Sequence, residues 1–400
     1  TPRSKSQISG PMPAHDAKTQ GIIAFLQTQA ETAPALEADY SQMVDLYSRK
    51  LWHQLTMLLE AFVAKSDTAD HLLPLYETFI TDFKVKLNKL ALARLQIAVA
   101  QQYKEPEKVA FFGTAIAEEA RKDDAEALMY ILSEIGRLLL GFGQVAECKE
   151  RLDEATTVME RLAGVDVTVS ASYYRAWAAY YKIKGPAAEF YKNALLLLAY
   201  APLSEMSHDE GVTISFDLGI AALVGEKLYN FGELLEHPVV SVLEQTEYAW
   251  LAHLLRAFNA GDIDQYESLV AQHHHELEAQ PALLSNTNFL KEKITLMCLT
   301  ETLFQRIGPT ADRTVSFAHI AAASKLPVEQ VELLLMRALS LQLIRGVIDQ
   351  VDQTVRIAWV QPRVLQQSQI ALMTERLKSW CGTVNSTLTM LDSLTPEFAT

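Results

Sequence analysis

The chain has 400 residues, 49% of them hydrophobic and 21% charged, with a formal net charge of −14. That length suits two or three domains, or one elongated repeat array with a cap, and the apolar share suits a core-forming soluble protein. The negative balance opposes nucleic-acid binding, which draws much of its affinity from phosphate neutralisation, and no apolar run reaches the roughly 18 residues of a membrane span.

The opening stretch TPRSKSQISGPMPAHDAKTQG is polar and broken by Pro and Gly. It lacks the apolar core of a signal peptide, so residues 1–37 read as a flexible tail. From 38 to 306 the pattern is helical almost throughout. In DYSQMVDLYSRKLWHQLTMLLEAFV the apolar residues Met43, Leu46, Tyr47, Leu51, Leu55, Leu58, Leu59 and Phe62 recur at steps of three and four, the stripe of one amphipathic helix. Similar stripes cover 72–87, 128–142 and 173–184. Pro106, Gly143, Gly164, Gly185–Pro186, Pro202 and Gly261 punctuate them at short connections. The segment 185–203 has the small-residue and aromatic spacing of a tetratricopeptide-like helix, but no strict period aligns the pairs. The expected architecture is an irregular α-solenoid in which stacked neighbours bury each other's stripes.

Composition changes after Arg306. IGPTADR breaks the helical pattern, Ser316 is placed to cap a short helix, and Pro327 opens a second whose stripe is Val328, Val331, Leu335, Ala338 and Leu341. LIRGVIDQ and TVRIAWV then alternate at the period of strands around a polar turn. Helix, turn, helix and β-hairpin describe a winged helix over 307–363, with Trp359 expected as an anchor in the core of the wing. Unpaired edges of its small sheet can extend to a neighbour by main-chain hydrogen bonds, which makes Val355, Arg356 and Ile357 candidate interface residues. In 364–400, Ile370, Met373, Leu377, Trp380, Val384, Leu388 and Leu391 form a coiled-coil-like seam, expected to be an assembly helix with a short tail.

No segment reads as a catalytic, cofactor or metal site. In QHHHELE (272–278) successive helical residues point about 100° apart, so His273, His274 and His275 cannot all face one ion. His274 and Glu278 could supply two ligands, with no third. HExxH, Walker A and GxSxG are absent, and the GxG at Gly141 and Gly143 follows a helix rather than a strand. Cys148, Cys298 and Cys381 form no CxxC pair and fit buried structural thiols in a reducing compartment. A winged helix raises nucleic acid as a rival reading, but the would-be reading helix carries Glu329 and Glu332 against one Arg337.

A helical array running into a winged helix and a terminal helix is the layout of PCI-domain proteins. The runs LYSRKLWHQLT (46–56), YNFGELLEHPVVSVLEQT (229–246), WLAHLLRAFNAGDID (250–264), VEQVELLLMRALSLQLIRGVIDQVDQTVRIAWVQPRVL (328–365) and LKSWC (377–381) resemble, more narrowly, the PCI-domain lid subunits of the 26S proteasome. The likeness covers most of 40–385. It implies a non-enzymatic scaffold of ubiquitin-dependent degradation without a cofactor, in cytoplasm and nucleus. The PCI module would begin near 185. The implied partners are other PCI-domain lid subunits, met through winged helices set side by side, and a shared bundle of terminal helices, so that the protein works as a hetero-oligomer. Alternatives are a PCI scaffold of the COP9 signalosome or of a translation initiation factor, or a nucleic-acid adaptor.

Overall fold

A computed structural model of the chain describes residues 14–33, 36–63, 65, 68–162, 164–306, 313–362, 364 and 367–394. It divides into two compact units, Thr1–Gly185 with Lys192–Pro202, and Pro186–Tyr191 with Leu203–Thr400.

The first unit is built of the helices Ala14–Thr32, Glu37–Ser48, Trp52–Val63, Ala69–Leu75, Lys89–Ala100, Pro106–Asp123, Ala125–Gly141, Val145–Met159 and Val167–Lys184, with part of Ala187–Tyr200. Side-chain caps start several of them. Asn88, Asp124 and Asp166 each accept the backbone N–H two residues on, at 2.8–2.9 Å. Two core clusters fill the unit, and the helix Lys89–Ala100 joins them. Leu92, Leu95 and Val99 face the first cluster, while Ala93, Ile97 and Ala100 face the second. That double duty explains why KLALARLQIAVA is apolar nearly all round. It is also the solenoid principle in miniature, since neither cluster closes without the shared helix.

Three expectations need correction here. Residues 14–32, assigned to the tail, form a helix that buries Ile22 and Leu26 in the first core and packs Phe25 and Ala30 against it. Residues 1–13 lie outside the described residues. The single helix expected over 39–63 is two, because Lys50 adopts a left-handed φ of 57° and Leu51 N–H reaches back to the Leu46 carbonyl. Over 72–87, Pro74 lacks the N–H an α-turn needs. The chain passes through a π-turn at Tyr76–Ile80 and a 3₁₀ turn at Lys84–Lys86.

In the second unit the helices His208–Val224, Pro238–Glu244, Ala249–Ala260, Ile263–Gln272 and Thr287–Arg306, with shorter turns between them, lead into the winged helix. Gly261 ends one of them at φ 67°, where a Cβ would lie 2.7 Å from Cys298 Cα. Gly261→Ala therefore meets both a conformational penalty and a collision with backbone. It is expected to cost about 2 kcal/mol in urea unfolding.

The winged helix runs β1 (Thr314–Ser316), helix Phe317–Ser324, helix Val328–Ser340, β2 (Ile344–Asp349) and β3 (Thr354–Val360). Sheet order is β1-β3-β2, antiparallel throughout. Val315, Phe317, Ile320, Val331, Leu335, Ala338, Ile344, Val355 and Ile357 are among its buried apolar residues. Of the break expected at IGPTADR, only Arg313 falls among the described residues.

Trp359 is not the core anchor expected. The β2–β3 register shifts between Arg345 and Gly346, pairing Gly346 with Ile357 and Arg345 with Trp359. The extra residue, Ala358, bulges β3 and turns Trp359 to the outer face, where it is 36% exposed. The Arg345 guanidinium lies 4.8 Å from its ring centroid. Trp359→Ala is accordingly expected to cost roughly 1–2 kcal/mol in thermal unfolding, not the roughly 3–5 of a fully buried tryptophan.

Candidate assembly surfaces

The terminal helix Gln367–Leu394 carries an apolar seam along most of its length. Ile370, Met373, Leu377, Trp380, Val384, Leu388 and Leu391 are all exposed, from 46% at Val384 to 65% at Trp380. Cys381, expected to pack, is exposed on the same helix. The helix is Thr- and Ser-rich toward its end and contains Gly382, a composition of modest helix propensity. The hydroxyls of Thr374, Thr383, Ser386, Thr387, Thr389 and Ser393 donate back to carbonyls of their own helix three or four residues earlier. These hydroxyls are thus satisfied within the helix, and the apolar seam is what calls for a partner.

Val364 lies against Gly232, where a Cβ would come within 2.6 Å of the Val364 Cβ. Glycine in YNFGELLEHP is therefore the residue that lets Val364 pass close to backbone.

The strand residues proposed for an interface divide. Val355 and Ile357 are fully buried in the winged-helix core, and only Arg356 is exposed. β3 is the central strand, so its main chain is paired on both sides. The free edges belong to β1 and β2. The sequence pattern offered a two-stranded wing; β1, three residues long, moved the edge elsewhere.

The helix Val328–Ser340 does not present a cationic face. Its single basic residue, Arg337, pairs with Glu292 at 2.9 Å, while Glu332 accepts from Gln350 at 3.0 Å. Leu333 and Met336 are exposed between them. In the histidine run, His273 ends one helix and His274 starts the next. His274 sits 3.2 Å from Glu278, and His273 is 3.5 Å from Glu276. Among the described residues no three His, Cys, Asp or Glu side chains gather as a metal site. Cys148 and Cys298 are buried, and burial pushes both thiols up, Cys148 to about 11. A thiol held protonated is a poor nucleophile.

The most unusual ionisable group is Lys293, which is 1% exposed. Its Nζ donates to the carbonyls of Ala222, Leu223 and Gly225 at 2.8, 2.9 and 2.9 Å, closing the C-terminal end of the helix His208–Val224. The rings of Phe231, Phe289 and Tyr229 stand 5.2, 5.6 and 5.7 Å from it. Three donors meet three acceptors, and a cation sits where the helix dipole is negative. Its place on the stripe Leu290, Lys293, Met297, Thr300 was a readable signal, since that spacing points a lysine inward. The arrangement is filled by the chain's own groups and is a structural clasp.

Comparison with known proteins agrees with this architecture. The family described as PSD13 N-terminal repeats matches residues 39–255, and the PCI domain matches 270–359. The 26S proteasome non-ATPase regulatory subunit 13 homolog B of Arabidopsis thaliana is 41% identical over 381 residues, 94% of this chain and 98% of that protein. The 26S proteasome non-ATPase regulatory subunit 13 of Dictyostelium discoideum is 37% identical, over 94% of this chain and 98% of that protein. The 26S proteasome regulatory subunit RPN9 of Saccharomyces cerevisiae is 32% identical, over 90% and 93%. A repeat array, a PCI winged helix and an exposed terminal helix, in a chain aligned over 90–94% of its length with these relatives, make this chain a member of the 26S proteasome non-ATPase regulatory subunit 13 (RPN9) family.

Proposed function

We propose that the chain is a non-catalytic scaffold subunit of the 26S proteasome regulatory-particle lid, supporting ubiquitin-dependent protein degradation through protein contacts alone. The observation that carries this reading is the exposed seam of the terminal helix, joined to a winged helix with free sheet edges at β1 and β2. The partners are other PCI-domain lid subunits at the winged helix and a bundle of terminal helices at the seam. Both contacts are of the kind that exclude water from apolar surface or pair main-chain edges. Work in the cytoplasm and nucleus fits three cysteines that form no disulfide among the described residues. The acidic flank of Val328–Ser340 and the engaged Arg337 favour protein over nucleic acid as the partner class.

Affinity purification of the tagged full chain from its own cells, with partners identified by mass spectrometry, tests the proposal. Proteasome lid subunits are the expected companions. Recovery of COP9 signalosome or initiation-factor subunits in their place would transfer the scaffold role to that complex.

A further inference from the structure

The outer face of the three-stranded sheet has a character unlike the rest of this acidic chain. Cross-strand pairing sets Arg345 opposite Trp359 and Val347 opposite Arg356. Directly paired residues of an antiparallel sheet share a face, and the bulge at Ala358 brings Trp359 onto it. Val347 is 71% exposed and Trp359 36%, and both arginines are exposed. Neither guanidinium is ion-paired among the described residues; Arg345 is instead held over the indole. The nearest acid on this face, Asp349, turns its carboxylate to the backbone N–H groups of Val351 and Asp352 at 3.1 Å. The result is a patch of two guanidiniums with no carboxylate partner among the described residues, around an apolar centre.

We propose that this face, formed by Arg345, Val347, Arg356 and Trp359, docks an extended acidic peptide segment of a partner protein. Successive cross-strand pairs on one face lie ~7 Å apart, which is also the spacing of alternate residues in an extended peptide. Carboxylates two residues apart project to one side of such a peptide and can meet both guanidiniums, and an apolar side chain at the next position on that same side covers Val347 and the indole edge. Nucleic acid is the less suitable occupant. Two arginines make no phosphate track, and the chain carries a net charge of −14. The surface is distinct from the terminal seam and from the sheet edges, so the inference stands independently of lid membership.

Fluorescence anisotropy with the full chain tests it. The probes are a fluorescein-labelled peptide alternating Glu and Ser around a central Leu, its Lys-for-Glu counterpart, and a labelled single-stranded thymidine oligonucleotide. Saturable, salt-sensitive binding of the glutamate peptide alone is expected, weakened about tenfold or more by Arg345→Glu with Arg356→Glu. Arg49→Glu, a reversal elsewhere on the surface, should leave it unchanged. Because the substituted side chains are exposed, melting temperatures should stay near that of the parent. No binding of the glutamate peptide, binding unaffected by the double reversal, or equal binding of the lysine peptide would overturn the proposal. Tighter oligonucleotide binding abolished by the same reversal would also overturn it and assign the face to nucleic acid.

Discussion

Leu377→Asp combined with Leu388→Asp should abolish incorporation into the lid while leaving the isolated chain folded. The two leucines lie three turns apart on one stripe of the terminal helix, and they are 57% and 58% exposed in the free chain. Exposure means that neither substitution removes a contact the isolated protein makes, so its melting temperature should move by no more than a few degrees. Within a helix bundle the same positions would be buried, where each leucine contributes about 1.5–3 kcal/mol and each carboxylate adds a desolvation penalty. Together the losses exceed about 5 kcal/mol, a factor of several thousand in affinity. Co-purification of tagged variant and lid subunits reads the first effect, and a thermal melt of the isolated variant reads the second. Undiminished co-purification would remove the seam from the assembly surface. A collapsed melt would show instead that the helix folds back on its own chain.

The seam was legible in the sequence because it depends only on period. Steps of three and four do not change with tertiary context, and nothing among the described residues buries the stripe they draw. The winged helix was legible for a related reason, since Pro327, the polar turn and two alternating runs occur in a fixed order. What escaped are features decided by a single backbone torsion or by one extra residue. Lys50 cuts a continuous stripe with a left-handed φ that no glycine announces. Ala358 bulges β3 and moves Trp359 to the opposite face, although Gly346 within β2 was a usable clue. A Cβ at that glycine would lie 2.4 Å from the Arg356 carbonyl oxygen, so the bulge needs it. β1 is too short to show a period, and Ser316, read only as a helix cap, is also its last residue. Its pairing with β3 takes the main chain of Thr354–Arg356 away from the free edge, while the side chains of Val355 and Ile357 face the core.

Lys293→Met should destabilise the chain by about 2–4 kcal/mol at neutral pH and flatten its stability between pH 7 and 9. Methionine matches much of the lysine's bulk but withdraws three donors, leaving the Ala222, Leu223 and Gly225 carbonyls buried without their present partner. An unsatisfied buried acceptor costs about 1–3 kcal/mol, and three of them outweigh the relief of no longer burying an ammonium. In the parent chain, burial pushes the Lys293 pKa from 10.5 down to about 7. The unfolded chain therefore binds more protons than the folded one between those values, so stability rises with pH there, by at most about 1.4 kcal/mol per unit. Below pH 7 both states hold the proton and this slope vanishes. Above pH 9 the buried Cys148 thiol, pushed up to about 11, begins to act in the opposite sense; Tyr130 and Tyr191, each near 12, follow from about pH 10. The window in which Lys293 dominates is thus pH 7–9, and urea midpoints across it measure the slope. A Lys293→Met chain as stable as its parent would mean that desolvation of the ammonium outweighs the three hydrogen bonds, as happens when some buried charges are replaced by apolar side chains. A rising limb that survives in that variant would place the titrating group elsewhere.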